Sequence, residues 1–349
     1  MRKLCFAVVG VMLLLGSASD SYAQFNRKSI KKNNHRIASF RGKKHGFGRN
    51  NVYSGIGVSI NALNYFGDLA PLPSRFSTDI SFTNPGFGLS FFHRFGPRYT
   101  LQLQYMYGTL KGSDTESANK GDLENGSFRY QRNLSFRNHI HELSAVAYFD
   151  LFENQSSYIS RVKWTPYAYL GIAAFYHNPQ AQLTSSSDWV DLQPLGTEGQ
   201  YAELKSTDAN FGIKPYSLLQ VAIPFGIGAR FRINEVMDLW GDIGFRYTFT
   251  DYLDDVSANY VDLGVLKSDL ARSFSYRSGE LKPTDLRPGV VAETYLSAGD
   301  NKTYSTLPGY GRENPENIRG NKSQNDIYMV TSIKLTYILG KTFHKAKFR

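Results

Sequence analysis

The stretch Ser217–Asp255 decides the fold. It reads SLLQVAIPFGIGARFRINEVMDLWGDIGFRYTFTDYLDD. One register carries Ile223, Phe225, Ile227, Ala229, Phe231 and Ile233, and the other Gln220, Gly226, Gly228, Arg230 and Arg232. After Asn234-Glu235 the alternation restarts, with Leu239, Ile243, Phe245, Tyr247 and Phe249 against Asp238, Trp240, Asp242, Gly244 and Arg246. A period of two is a strand, and the short polar break makes the pair a hairpin. Each strand outruns the usual ~5–6 residues. A soluble sandwich would press the apolar face on a second sheet; an outer-membrane barrel gives that face to lipid and the charged face to its lumen. Pro224 removes a ladder donor within the first strand and predicts a bulge or gap there.

The chain is 349 residues long and 41% hydrophobic. No run approaches the ~18 apolar residues of a spanning helix, so a membrane protein of this composition has to cross with strands. Residues 1–23 read as a secretory signal peptide: Arg2 and Lys3, an apolar core from Leu4 to Leu15, and Ser21-Tyr22-Ala23 before Gln24. The single cysteine, Cys5, lies within that segment. The mature chain then has no thiol for a disulfide, a nucleophile or a metal. Residues 24–50 carry Arg27, Lys28, Lys31, Lys32, Arg36, Arg41, Lys43, Lys44 and Arg49 and no acid, which leaves residues 51–349 formally neutral. Basicity here belongs to an arm (24–51), read either as solvated and disordered or as a periplasmic docking arm. An exported chain meets little nucleic acid, so none is assigned as a partner. A short basic tail follows at 342–349.

Working outward from the hairpin, six more strands appear. They cover Val52–Leu63, about Gly86–Phe95, Tyr99–Thr109, Asn138–Leu151, Pro166–His177 and Asp326–Leu339. In the fifth strand of the chain both faces are apolar or aromatic, so its inward face is open. The connections alternate: tight at Gly96-Pro97 and Asn234-Glu235, medium after the fourth strand, long after the first, third, fifth and seventh. Sandwiches have no reason to sort loops by parity; bacterial barrels have short periplasmic turns and long external loops. The fold class read from the chain is therefore all-β, an eight-stranded antiparallel transmembrane β-barrel over residues 52–341 with long extracellular loops. It sits in outer-membrane lipid with both termini periplasmic.

Eight strands leave an interior that side chains fill. The inward charges are Arg94, Glu142, Arg230, Arg232, Asp238, Asp242, Arg246 and Lys334. Buried charges have to be paired, so they read as a salt-bridge ladder rather than an ion path. Other chemistry is sparse. His139 and His141 share one strand face near a rim, without further metal ligands in view. Asp251, Asp254 and Asp255 have the oxygen chemistry of a calcium site, although such clusters more often cap turns. No G-x-S-x-G elbow frames a nucleophile, so no catalytic residue and no cofactor is assigned. Within the longest loop, Val261–Phe274 places Leu263, Leu266, Leu270, Ala271 and Phe274 near helical spacing and predicts a short amphipathic helix, more simply a cover for the barrel mouth than a partner face.

Two strand ends carry a resemblance. Asn64-Tyr65-Phe66-Gly67-Asp68-Leu69, Thr248–Ser257 (TFTDYLDDVS) and Arg319-Gly-Asn, with Asp326 and Tyr328, resemble the hallmarks of PorG-like outer-membrane barrels of Bacteroidetes. The resemblance implies a non-enzymatic accessory of type IX secretion that associates with a periplasmic ring of PorK- and PorN-like proteins. On that reading Asn64, Tyr65, Phe66, Gly67, Asp68, Asp251, Tyr252, Asp254, Asp255 and Arg319 are structural or interaction residues, and the basic arm 24–50 is the candidate for ring contact. A ligand-binding or solute-handling barrel of unrelated role is the alternative; a barrel enzyme with a rim site is a third.

Overall fold

The structure is a computed structural model that describes residues 51–70, 82–123, 126–154 and 159–339. The signal peptide, the basic arm and the C-terminal tail lie outside the described residues. Twelve strands lie among the described residues: β1 Tyr53–Phe66, β2 Asn84–Arg94, β3 Tyr99–Ser113, β4 Ser135–Asp150, β5 Trp164–Tyr176, β6 Pro179–Ala181, β7 Val190–Asp191, β8 Leu219–Arg232, β9 Met237–Thr248, β10 Glu293–Leu296, β11 Thr303–Thr306 and β12 Ile327–Leu339. Three short helices join them: α1 Asp114–Ser117, α2 Gly126–Arg132 and α3 Asp269–Ser275.

The long strands pair antiparallel in the order β3-β2-β1-β12-β9-β8-β5-β4, and β3 pairs with β4 to close the ring. The fold is a closed eight-stranded antiparallel barrel, as the alternation implied. The connections 95–98, 151–163 and 233–236 lie at one end, where β1 begins and β12 ends (Ser54 opposite Leu339). The long connections 67–83, 114–134, 177–218 and 249–326 lie at the other.

The two faces of every strand meet different surroundings. Outward are Ile60 at 66% exposure, Leu89 at 62% and Ile227 at 69%; inward, Gln102, Glu142 and Trp240 are completely buried. Soluble monomers rarely expose apolar patches beyond a few hundred Å², whereas this belt runs round the whole cylinder. It is the lipid-facing surface of a membrane barrel. β5 resolves its ambiguity by placing Thr165, Tyr167, Tyr169, Ala173 and Phe175 inside and Leu170 and Ile172 outside. The predicted defect at Pro224 is a gap rather than a bulge. Pairing of β5 with β8 runs to Leu170–Phe225 and resumes at Ala173–Ala222 in the same register, while Pro224 stays in register opposite Arg246 of β9.

Side chains fill the lumen. Toward the turn end, Asp150 Oδ2 takes Arg94 at 2.7 Å and Arg230 at 2.6 Å, and Asp238 takes Arg161 at 2.6 Å. Next comes an aromatic layer of Tyr148, Tyr167, Tyr169 and Trp240. Above it Glu142 pairs with Arg246 at 3.4 Å and accepts the Tyr328 hydroxyl at 2.7 Å. An apolar lid of Leu63, Met106, Ile140, Phe175, Val330 and loop residues Leu253 and Val256 closes the loop end.

The ladder read from the sequence needs correcting at three rungs. Lys334 makes no ion pair among the described residues: it donates to Gln102 Oε1 (3.1 Å) and the Tyr148 hydroxyl (3.3 Å) and lies 5.4 Å from the Trp240 ring centroid. The quadrupole of the ring faces replaces a carboxylate. Asp242 is held by the Tyr167 and Tyr169 hydroxyls at 3.1 and 3.4 Å. Arg232 donates to the Arg161 carbonyl at 2.7 Å rather than to an acid.

The helix predicted over 261–274 is broken. A 3-10 turn at Leu263–Val265 precedes α3, whose cap Ser268 accepts from Ala271 N at 3.0 Å. Leu263, Leu266 and Ala271 pack with Val261, and Phe274 packs on Ala181 and Leu192 of the loop after β5. The helix therefore braces loop on loop, and Leu253 and Val256 do the covering of the mouth.

Candidate functional site

Above the apolar lid lies a polar core in which the long loops meet. β1 delivers Tyr65 at its end, and its hydroxyl lies 2.7 Å from Asp254 Oδ2 and 2.7 Å from Asp326 Oδ1. Asp254 also accepts from Val256 N at 3.0 Å, and Asp326 from Leu253 N at 2.8 Å. A phenol has one proton and can donate to one carboxylate only. The other carboxyl must carry its own proton and donate to the phenol oxygen. Burial, reinforced by the Asp68 charge, pushes Asp254 well above the usual carboxylate range; burial and then the Asp254 and Asp251 charges do the same to Asp326. Asp251 is pushed up to about 9, chiefly by burial. Gly67 makes the approach possible, because a Cβ there would collide with the Tyr65 hydroxyl and the Asp326 carboxyl.

Two arginine nodes flank this pair. Asp114, completely buried, accepts from Arg132 at 2.7 and 2.8 Å and from Arg129 at 3.3 Å, and Arg132 also reaches the carbonyls of Arg319 (2.6 Å) and Asp68 (2.8 Å). Burial disfavours the Arg132 cation, but Asp114 outweighs it and holds the proton more tightly than usual. In the second node Arg319 donates to Glu198 Oε1 at 2.8 Å and to the Asp255 carbonyl, while its other arm lies 3.6 Å from the Asp255 carboxylate. Asp255 takes a left-handed backbone (φ 67°), which Asp tolerates better than most residues. Its carboxylate accepts from Thr197 (2.6 Å) and Tyr216 (2.7 Å). Burial raises it to about 6, partly offset by Arg319. Asp68 accepts from Asn321 N at 2.8 Å.

Each motif residue thus has a place. Tyr65, Gly67, Asp68, Asp251, Asp254, Asp255 and Arg319 converge on this core. Tyr252 stacks on Tyr216 with centroids 4.5 Å apart, Asn64 donates to Thr83 Oγ1 at 2.7 Å, and Phe66 packs near Phe245. The calcium reading is not carried by the geometry: Asp254 and Asp255 spend their oxygens on different partners, and no group of three His, Cys, Asp or Glu among the described residues is arranged to hold a metal. His139 and His141 lie outside the core, on the outer face, each bonded to a tyrosine. Glu198, Asp114 and Arg132 were missed by sequence reading. Each sits in a polar stretch of sequence without periodicity, so nothing in the chain marked them as buried.

A family model described as a domain of unknown function, DUF6089, matches residues 48–193, which run from β1 past β5. No curated protein matches the sequence. Among solved structures the chain is similar to a major outer membrane protein from Thermus thermophilus (14% identity, TM-score 0.33, covering 82% of this chain and 99% of that one). It is also similar to Ail, the attachment invasion locus protein of Yersinia pestis (7%, 0.32, 82% and 98%), and to Neisserial surface protein A (9%, 0.30, 82% and 96%). Overlaps this loose say nothing of function. The barrel is established by its own strand pairing, and its membrane setting by its apolar belt.

Proposed function

We propose that this protein is a non-enzymatic outer-membrane barrel that serves as an interaction scaffold, an accessory of type IX protein secretion that contacts a periplasmic ring of PorK- and PorN-like proteins. The observation that carries the scaffold reading is the lumen. Among the described residues, ion pairs, an aromatic layer and an apolar lid fill it, which favours a scaffold over a solute path. The secretion reading rests on the resemblance of the strand-end motifs, which support it by meeting in one buried core: such residues fix loop architecture that a partner can recognise. The turn end is assigned to the periplasm because periplasmic turns are the short ones. The basic arm 24–50, which precedes β1 in the sequence, is assigned to ring contact, with Asn64–Asp68, Asp251–Asp255 and Arg319 shaping the far side.

Affinity purification of the full chain from its native membrane tests this. Ring proteins should co-purify, and less so after deletion of residues 24–50. Undiminished recovery after that deletion removes the arm from the interface. Normal secretion in a strain lacking the gene removes the secretion role and leaves the scaffold.

A further inference from the structure

The outward face of β3 and β4 departs from the rest of the belt as it nears the loop end. Registers Tyr107–His141, Thr109–His139 and Lys111–Arg137 place two histidines, a lysine and an arginine side by side on the outer surface. Exposed outward positions elsewhere on the barrel are apolar, with Phe87 of β2 and Val221 of β8 toward the loop end and Phe249 just past β9. The cationic strip is therefore local to one side of the cylinder.

Its members are oriented. The Tyr105 hydroxyl lies 2.8 Å from His141 Nδ1, and the Tyr107 hydroxyl lies 3.1 Å from His139 Nδ1. Thr109 Oγ1 lies 3.1 Å from the same His139 nitrogen. Where Nδ1 accepts from a hydroxyl, the ring keeps its proton on Nε2 as a donor. The Arg137 guanidinium lies 3.8 Å from the centroid of the Trp189 ring and donates to Gln180 Oε1 at 3.0 Å. None of the four cationic or imidazole side chains forms an ion pair among the described residues. Directly toward the turn end, the same surface holds a shallow apolar depression of about 550 Å³ lined by Val58, Leu89, Leu103, Tyr105, Leu143 and Leu335, among others. Tyr105 belongs to both: its ring edges the depression and its hydroxyl touches His141.

We propose that this surface is a binding site for a phosphate-bearing membrane lipid, its phosphate on Lys111, Arg137, His139 and His141 and an acyl chain in the depression. Charge complementarity selects the occupant. The neighbouring acid, Asp191, is held by Gln180 at 2.7 Å and does not pair with Arg137. In a belt otherwise made for hydrocarbon, cations without an ion-pair partner call for an anion at the headgroup level, and basic residues there attract anionic headgroups. Arginine adds planar two-point recognition of phosphate. A second copy of the chain, whose corresponding face is equally cationic, would repel it. The inference goes beyond the secretion reading and does not depend on it.

Native mass spectrometry of the full chain in an uncharged detergent tests the site, with diphosphorylated lipid A and the same lipid freed of its phosphates as probes. The wild type should retain lipid A and hold the dephosphorylated form far more weakly. At roughly fivefold per basic group near a headgroup, Lys111→Gln with Arg137→Gln should weaken retention about thirtyfold. The same removal in the loops, Lys205→Gln with Lys214→Gln, should not. Heat-dependent gel migration verifies that each variant is folded, and the comparison of the two lipids on the wild type needs no variant. Equal retention of both lipids, undiminished retention by the folded Lys111/Arg137 variant, a chain dimer in place of the lipid adduct, or displacement of lipid A by inorganic phosphate alone would each overturn the proposal.

Discussion

Asp150 offers the sharpest test of how the lumen is held. Its Oδ2 alone accepts from two arginines, Arg94 at 2.7 Å and Arg230 at 2.6 Å, and all three residues are almost wholly buried. Asp150→Asn keeps the shape and one oxygen but removes the charge. Each contact is worth roughly 6 kcal/mol in gross Coulomb terms at an effective dielectric of ~20. Desolvation of the ions cancels much of that, and breaking a buried pair from one side costs roughly 3–5 kcal/mol net. Two guanidinium groups left facing each other put this case at the upper end, about 5 kcal/mol. The measurement is urea unfolding of the barrel in lipid vesicles, followed by tryptophan fluorescence and heat-dependent migration. Replacing all three groups, Asp150→Asn with Arg94→Met and Arg230→Met, should recover most of the loss, because an apolar set of similar volume is tolerated where an unpaired charge is not. Should Asp150→Asn unfold within about 1 kcal/mol of the wild type, the arginines are hydrated and their pairing with Asp150 does not hold the lumen.

Lys334→Met should change stability by less than about 1 kcal/mol in the same assay, since no carboxylate is orphaned and the new side chain still packs on Trp240 and Tyr148. Gly67→Ala should loosen the loop core, seen as faster proteolysis of the long loops, because its Cβ would collide with Tyr65 and Asp326; Gly241→Ala, with nothing within 4 Å of its Cβ, should leave the protein unchanged. The loop core should also loosen with rising pH. Asp251, Asp254 and Asp326 have folded pKa values raised above the unfolded value of 3.8, so their contribution is complete below pH ~4 and declines as pH climbs, for Asp251 through about 9. Proteolysis should therefore accelerate as pH rises from about 6 to about 10, and Asp326→Asn, whose amide can donate to the Tyr65 oxygen, should flatten that rise; a pH-independent rate in the wild type would contradict the protonated carboxyl.

The strands were legible because a barrel strand separates two solvents, and a period of two records that separation residue by residue. Ile56, Val58 and Ile60 against Gly57, Ser59 and Asn61 needed no partner to be read. Parity of loop length then gave closure and a common end for the start of β1 and the finish of β12. β5 was ambiguous for the same reason: Tyr167 and Tyr169 inside and Leu170 and Ile172 outside are apolar on both faces, so the contrast vanished. The helix at 261–274 failed because its apolar spacing reflects two separate contacts, Leu263 and Leu266 on one side of a turn and Phe274 on the other.

Outside β5, local pattern alone fixed which side chains face the lumen or the lipid, since facing depends only on strand alternation. Which inward charges meet was decided by the closed sheet. Asp150 of β4 reaches Arg230 of β8 past the intervening β5, and Arg161 comes up from a turn to Asp238. The loop core was decided the same way: Tyr65 and Asp326 are 261 positions apart and bonded. Charges choose partners by distance and by the cost of standing unpaired in a dry interior, and distance exists only once the cylinder has closed.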